Sequence, residues 1–170
     1  TKATTSITTD GKKNSIINGI TDWVYEEEFA FVKAFDWSAD SKKIAFIRFD
    51  ESEVPEFSMS IFQKELYPKV ETFKYPKAGE KNAVVSLHIY DVASQAKKDV
   101  NLGNYSDFYI ARMQWTNDAN VLSAQVLNRH QDNLDLIFVD GTTGAAKVVL
   151  NEKDKAYVDV TDNLTFLKDN

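Results

Sequence analysis

The sequence predicts an all-β fold: a partial β-propeller of about two full blades plus partial blades, with a short helical Glu-Glu-Glu segment and an extended arm. Three observations carry this reading. Aromatic and β-branched residues dominate the apolar positions, in short runs separated by turn residues. A Trp-Ser/Thr-x-Asp core occurs twice at matched offsets, Trp37, Ser38 and Asp40 and then Trp115, Thr116 and Asp118, each between two apolar runs. The order "apolar strand, Asp, small polar turn, Lys, apolar strand" occurs at 87–100 and again at 136–150. Such repetition marks a propeller, whose blades of four short strands take about 40–50 residues each.

From the amino terminus, Thr4 to Thr8 and Asn14 to Asn18 flank Asp10-Gly11, a hairpin signal; residues 1–20 read as the end of one blade. Trp23 to Phe31, inside a Glu-motif segment at 21–33, is expected as a short helix, since glutamate suits helices and nothing there breaks one. Residues 34–103 form a blade. Ala34 to Ser38 and Ile44 to Phe49 are strands around a polar turn, the second apolar at nearly every position, as when both faces are covered. Trp37 and Trp115 stand 78 residues apart, too many for one blade. The surplus is at 50–82, which holds all three prolines, Pro55, Pro68 and Pro76, and little alternation; prolines exclude it from a central strand, so it reads as an arm. Its aromatic residues Phe57, Phe62, Tyr67, Phe73 and Tyr75 are either its own small core or a contact surface. Strands resume at 84–91. Residues 104–155 form the next blade, with Leu134 to Val139 and Ala146 to Leu150 as a hairpin across Asp140-Gly141. A third copy of the repeat begins at Thr165, with Phe166 at the Trp position, 51 residues after Trp115, and Asp169 at the Asp position; 156–170 is the start of a further blade. The chain reads as a fragment, whose unpaired sheet edges favour self-association.

Composition excludes several functions. A net charge of −6 with only three arginines gives no basic patch for nucleic acid. No cysteine is present, so disulfides and thiol chemistry are absent, and no apolar run nears the roughly 20 residues of a membrane helix. No glycine falls in Gly-x-Ser-x-Gly, His88 and His130 lie in no catalytic motif, and no metal-ligand spacing or phosphate loop occurs. No catalytic residue, metal site or cofactor is assigned to the chain. The one unusual cluster is Thr21-Asp22-Trp23-Val24-Tyr25-Glu26-Glu27-Glu28-Phe29, three carboxylates between aromatic residues. A solvated acidic run needs no aromatic flanks, so the cluster reads either as a surface run or as carboxylates held against a surface and aimed at a cation.

Asn18 to Phe29 resembles the dipeptidyl peptidase IV family. So do Trp37-Ser38-x-Asp40, Phe49-Asp50-Glu51-Ser52-Glu53-Val54-Pro55, Tyr67-Pro68-Lys69, Tyr75-Pro76-Lys77-Ala78-Gly79-Glu80-Lys81-Asn82 and Val126 to Asp132, in order and over nearly the whole chain. The resemblance implies the amino-terminal propeller of a serine-type dipeptidyl peptidase that removes Xaa-Pro or Xaa-Ala dipeptides. It implies that Glu27 and Glu28, and not Glu26, bind the free amino terminus of a peptide substrate. It also implies that a hydrolase domain absent here carries the Ser, Asp and His, and that the 50–82 arm contributes to a homodimer. By the same resemblance the parent protein is periplasmic, at the cell surface or secreted. The lysine-rich, cysteine-free composition leans bacterial. The alternative is a non-enzymatic propeller scaffold for protein–protein contacts.

Overall fold

The structure, a computed structural model, describes residues 3–168. A five-stranded and a four-stranded antiparallel sheet and a separate two-stranded ribbon make up the described residues. The first sheet contains β1 (Ile16–Asn18), β2 (Phe35–Trp37), β3 (Lys43–Asp50), β6 (Val84–Asp91) and β7 (Ala96–Asp99). The ribbon is β4 (Glu56–Ile61) with β5 (Lys69–Lys74), and the second sheet runs β8 (Phe108–Trp115), β9 (Val121–Asn128), β10 (Asn133–Asp140) and β11 (Ala146–Lys153). This is the partial propeller the repeats predict, with one helix among the described residues, α1 (Trp23–Glu28).

β1 and β2 lie end to end along one edge of β3, Ile16–Asn18 facing Asp50–Arg48 and Phe35–Trp37 facing Phe46–Ile44. Residues 16–18, expected in a preceding blade, therefore belong to the first sheet. The expected hairpin across Asp10-Gly11 does not form, because residues 4–8 are not a strand. The Asp10 carboxylate instead accepts from Asn18 Nδ2 at 2.9 Å and from Arg48 Nε at 2.8 Å, which tethers the loop to β3 rather than to a partner strand.

The Trp-Ser/Thr-x-Asp motifs prove to be turn builders. Ser38 Oγ donates to Asp40 at 2.7 Å and accepts from Lys43 N at 2.9 Å, while Asp40 also accepts from Lys42 N. In the second copy Thr116 and Asp118 serve the β8–β9 turn in the same manner, Asp118 accepting from Asn120 N at 2.8 Å. Side-chain oxygens thus take over backbone donors that a tight turn leaves unpaired. The tryptophans diverge: Trp115 is buried and Trp37 exposed. The third copy forms no sheet among the described residues. Phe166 and Leu167 carbonyls accept from Asn117 Nδ2, and Asp169 lies outside the described residues.

The arm leaves from Asp50 and returns at Val84, residues paired with each other in the β3–β6 ladder. It contains two strands that its weak alternation did not reveal. Its prolines sit just outside them, where no ladder hydrogen bond is lost. Phe57, Phe73 and Tyr75 pack together at 5.5–6.2 Å, whereas Phe62 and Tyr67 are 80% exposed. The aromatic set therefore divides into a packed cluster at the base of the arm and exposed side chains at its tip.

One contiguous core joins the sheets, built from Ala45, Ile47, Phe49, Leu87 and Ile89 on one side and Ile110, Leu122, Val126 and Ile137 on the other. Polar contacts fix the joint. Trp115 donates its backbone N–H to Asp36 Oδ2 and its indole N–H to the Asp36 carbonyl, both at 3.1 Å. Asn101 N donates to the Gly144 carbonyl at 2.9 Å in a parallel bridge between the two outer strands' ends. Gly144 itself has φ +76°, and a Cβ there would stand 2.8 Å from the Asp99 carbonyl oxygen. Both facts demand glycine. Gly144→Ala is expected to lower stability by about 2 kcal/mol through backbone strain and the clash, read as a shift in the midpoint of urea denaturation; an unchanged midpoint would show that the two sheets are not braced at this point.

Candidate functional site

The acidic stretch forms the tip of a closed loop. Its stem is antiparallel: Ala34 N donates to the Gly19 carbonyl, and Thr21 N to the Val32 carbonyl, at 3.0 and 3.1 Å. Gly19 N and the Ala34 carbonyl bond in turn to Ile47 of β3, so the loop is rooted in the gap between β1 and β2. At the tip, Asp22 caps α1, its Oδ1 accepting from Tyr25 N at 3.0 Å. Six residues are far too few for a helix stable on its own. What holds this one is its buried face.

That face is Val24, Tyr25 and, just beyond the helix, Phe29, all under 8% exposed. The Tyr25 ring touches Phe29, Phe31, Phe49 and Tyr109, with centroids 4.8–6.1 Å apart. Its hydroxyl accepts from Ile110 N at 2.8 Å, a bond made possible by the bulge in β8 between Ile110 and Arg112. Burial drives the Tyr25 phenol well above its ordinary pKa, so it stays protonated. Trp23 packs on Tyr75 at 4.2 Å, joining the helix to the base of the arm.

The opposite face carries Glu26, Glu27 and Glu28, all exposed. None takes part in an ion pair among the described residues, although the same region has cations at hand. Adjacent helical residues project about 100° apart, and Glu28 alone of the three lines a cleft of about 400 Å³. Its other walls include Trp23, Tyr75, Asn82, Tyr109 and Arg129. Asn82 Nδ2 donates to the Tyr109 hydroxyl at 2.8 Å, and Arg129 donates to the Glu80 carbonyl at 2.9 Å. Burial raises the Tyr109 phenol, with Glu28 a smaller contributor. The structure thus brings Glu28 together with the Tyr75–Asn82 and Val126–Asp132 segments, while Glu27 stands outside the cleft.

Sequence reading missed two features here. Asp22 is buried, and desolvation raises its carboxyl to about 6 against the opposing pull of the Tyr25, Asp22 and Val24 backbone donors. Glu51, also buried, is raised first by desolvation and then by Asp22, with Lys74 opposing. An Asp immediately before an apolar helix start was legible as a cap; its neighbour from the end of β3 was not. The second feature is a relay in the first sheet. His88 Nδ1 lies 2.8 Å from Asp99 and Nε2 lies 2.8 Å from Ser86 Oγ. A carboxylate only accepts, so Nδ1 carries the hydrogen and Nε2 accepts from the serine. Desolvation lowers the imidazole pKa, which keeps the ring neutral while it stacks on Phe46 at 5.2 Å. The serine sits in mid-strand, away from any turn where backbone donors converge for an oxyanion. It is a packed histidine, as its motif-free setting indicated. His130 is exposed in a turn.

Among the described residues no three His, Cys, Asp or Glu side chains gather as for a metal, and no helix is long and apolar enough to cross a membrane.

Two antiparallel sheets joined by one core, the first of them rooting a glutamate-bearing loop, define a partial β-propeller. The family described as dipeptidyl peptidase IV (DPP IV) N-terminal region matches residues 1–170, and the chain belongs to it. "Probable dipeptidyl-aminopeptidase B" of Talaromyces stipitatus is 36% identical over 182 residues, covering 96% of this chain and 20% of its own length. The protein of the same description from Coccidioides posadasii is 37% identical over 157 residues, covering 84% and 17%. The crystal structure of Porphyromonas gingivalis dipeptidyl peptidase 4 superposes with a TM-score of 0.87 at 47% identity, over 90% of this chain and 22% of that one. The chain spans about a fifth of the length of these relatives.

Asp22→Asn keeps an N-cap acceptor and removes the buried charge. The native carboxyl holds its proton to about pH 6 against an ordinary value of 3.8, so its favourable contribution is full below about pH 4 and is lost as pH rises through 6. The stability of the asparagine variant relative to the parent is therefore expected to rise by about 2 kcal/mol between pH 4 and pH 7. Parallel urea titrations at the two pH values check this, and a pH-independent difference would contradict it.

Proposed function

We propose that the chain is the substrate-gripping portion of a serine-type dipeptidyl peptidase that releases Xaa-Pro or Xaa-Ala dipeptides, with Glu27 and Glu28 binding the substrate's α-ammonium group. The observation that carries this reading is the contrast across α1: one face buried, the other presenting carboxylates that no cation among the described residues neutralises. A peptide α-amino group, with a pKa of about 7.7–8.0, is mostly cationic at pH 7. Adjacent carboxylates repel one another until such a cation arrives. Holding the amino terminus at a fixed distance from a remote serine measures off two residues, which turns positioning into exopeptidase specificity. The names of the relatives support a peptidase parent; the reacting groups belong to a domain outside this chain.

The parent is further proposed to act outside the cytoplasm and to pair with a second copy through the arm. Phe62, Leu66 and Tyr67 are 80–89% exposed at its tip, and large apolar side chains clustered in this way mark contact surfaces.

In the full-length enzyme, truncating a desolvated charge partner costs about 2–5 kcal/mol, so Glu27→Ala and Glu28→Ala are each expected to lower kcat/KM at least about 30-fold, and Glu26→Ala only mildly. A loss below about threefold for both would remove the glutamates from the ammonium site, and an unmutated full-length protein that turns over no Gly-Pro anilide would leave the non-enzymatic scaffold. For the arm, Tyr67→Asp is expected to shift the full-length protein from dimer to monomer in light scattering; a dimer that survives both this change and Leu66→Asp would exclude the tip as the contact.

A further inference from the structure

The carboxyl end of α1 is closed by Phe29, whose backbone N–H donates to the Tyr25 carbonyl at 3.2 Å, but it has no cation of its own. Its last turn carries glutamates and no basic residue, opposite to what the helix dipole favours. The chain then leaves through Ala30 at φ 55°, a left-handed conformation that costs a non-glycine residue. The missing cation comes from the second sheet. Arg112 donates from one guanidinium nitrogen to the Phe29 carbonyl at 2.9 Å and to the Ala111 carbonyl at 2.7 Å, while its Nε donates to Asp162 at 2.6 Å. Its guanidinium carbon stands 5.7 Å from the Phe31 ring centroid. The β8 bulge that frees Ile110 N for Tyr25 is what directs the next residue but one toward the helix.

We propose that Arg112 is a positioning residue for the ammonium site: it fixes the end of α1 from which Glu27 and Glu28 project. This rests on the reading of those glutamates given above. Asp162 is 83% exposed, so its ion pair adds little stability; its part is to orient the guanidinium so that the Phe29 bond forms. Arg112 spans both partners because its donors are spread over a rigid fork, which a lysine ammonium lacks. An arginine that only stiffened the second sheet would change stability and leave the affinity for an amino terminus alone.

The test uses the full-length enzyme, with active sites counted by a fluorophosphonate that modifies the serine and needs no amino terminus. Arg112→Ala is expected to raise KM for a Gly-Pro anilide about tenfold with kcat within about twofold, and Arg112→Lys to fall between it and the parent. Should the alanine variant not fold, Asp162→Asn, which frees the guanidinium to swing, is expected to raise KM about two- to threefold. Glu27→Ala and Glu28→Ala are measured alongside. A KM unchanged in Arg112→Lys and Asp162→Asn, beside a large loss in the glutamate variants, overturns the role of Arg112 alone. Unchanged values in both sets overturn the ammonium reading and this inference with it.

Discussion

One hydrogen bond, from the Ile110 backbone N–H to the Tyr25 hydroxyl, holds the geometry of this molecule together. It is buried, so neither group has water as a substitute, and leaving either unpaired would cost about 1–3 kcal/mol. It also requires the β8 bulge, because in a regular ladder that amide would face β9. The bond therefore couples three things that are separate in sequence: the register of the second sheet, the packing of an aromatic cluster, and the placement of a one-turn helix too short to persist alone. The carboxylates of α1 are held in place from beneath.

Carboxyl groups in this small region divide into two kinds by environment. Asp22 and Glu51 are buried, and their desolvation raises both carboxyls. They serve structure, one as a helix cap and the other at the root of the arm. Glu26, Glu27 and Glu28 are in water, unpaired within the described chain, and impose no such cost on folding. An exposed carboxylate contributes little to stability whatever it touches, so the exposed set is free to serve a ligand.

The fold class, both repeats, the helix and the arm were legible because each depends on local signals: turn chemistry after Trp37 and Trp115, proline placement, a glutamate run with nothing to break a helix. The failures came where a distant side chain outcompeted a local signal. Asp10-Gly11 reads as a hairpin, but Arg48 and Asn18 claim the aspartate. Ile16–Asn18 reads as belonging to an earlier blade, yet it fills the space along β3 that the three-residue β2 leaves open. In the site, the glutamates stood out by composition. The Tyr25 hydroxyl bond, the Arg112 bridge and the Asp22–Glu51 pair did not, since each joins residues from different elements and no periodicity encodes them.

The point of attachment of the arm has a consequence for how such proteins diversify. Its two ends, Asp50 and Val84, face each other in a ladder, so they stay about 5 Å apart whatever lies between them. Loop-closure entropy grows only with the logarithm of length, at about 0.6 kcal/mol per doubling. Insertions, deletions or wholly different modules at this junction therefore leave the β3–β6 register undisturbed. The blade acts as a socket, and the outer part of what is plugged into it, beyond the Tyr75–Asn82 segment that meets the glutamate loop, is free to vary without disturbing that loop.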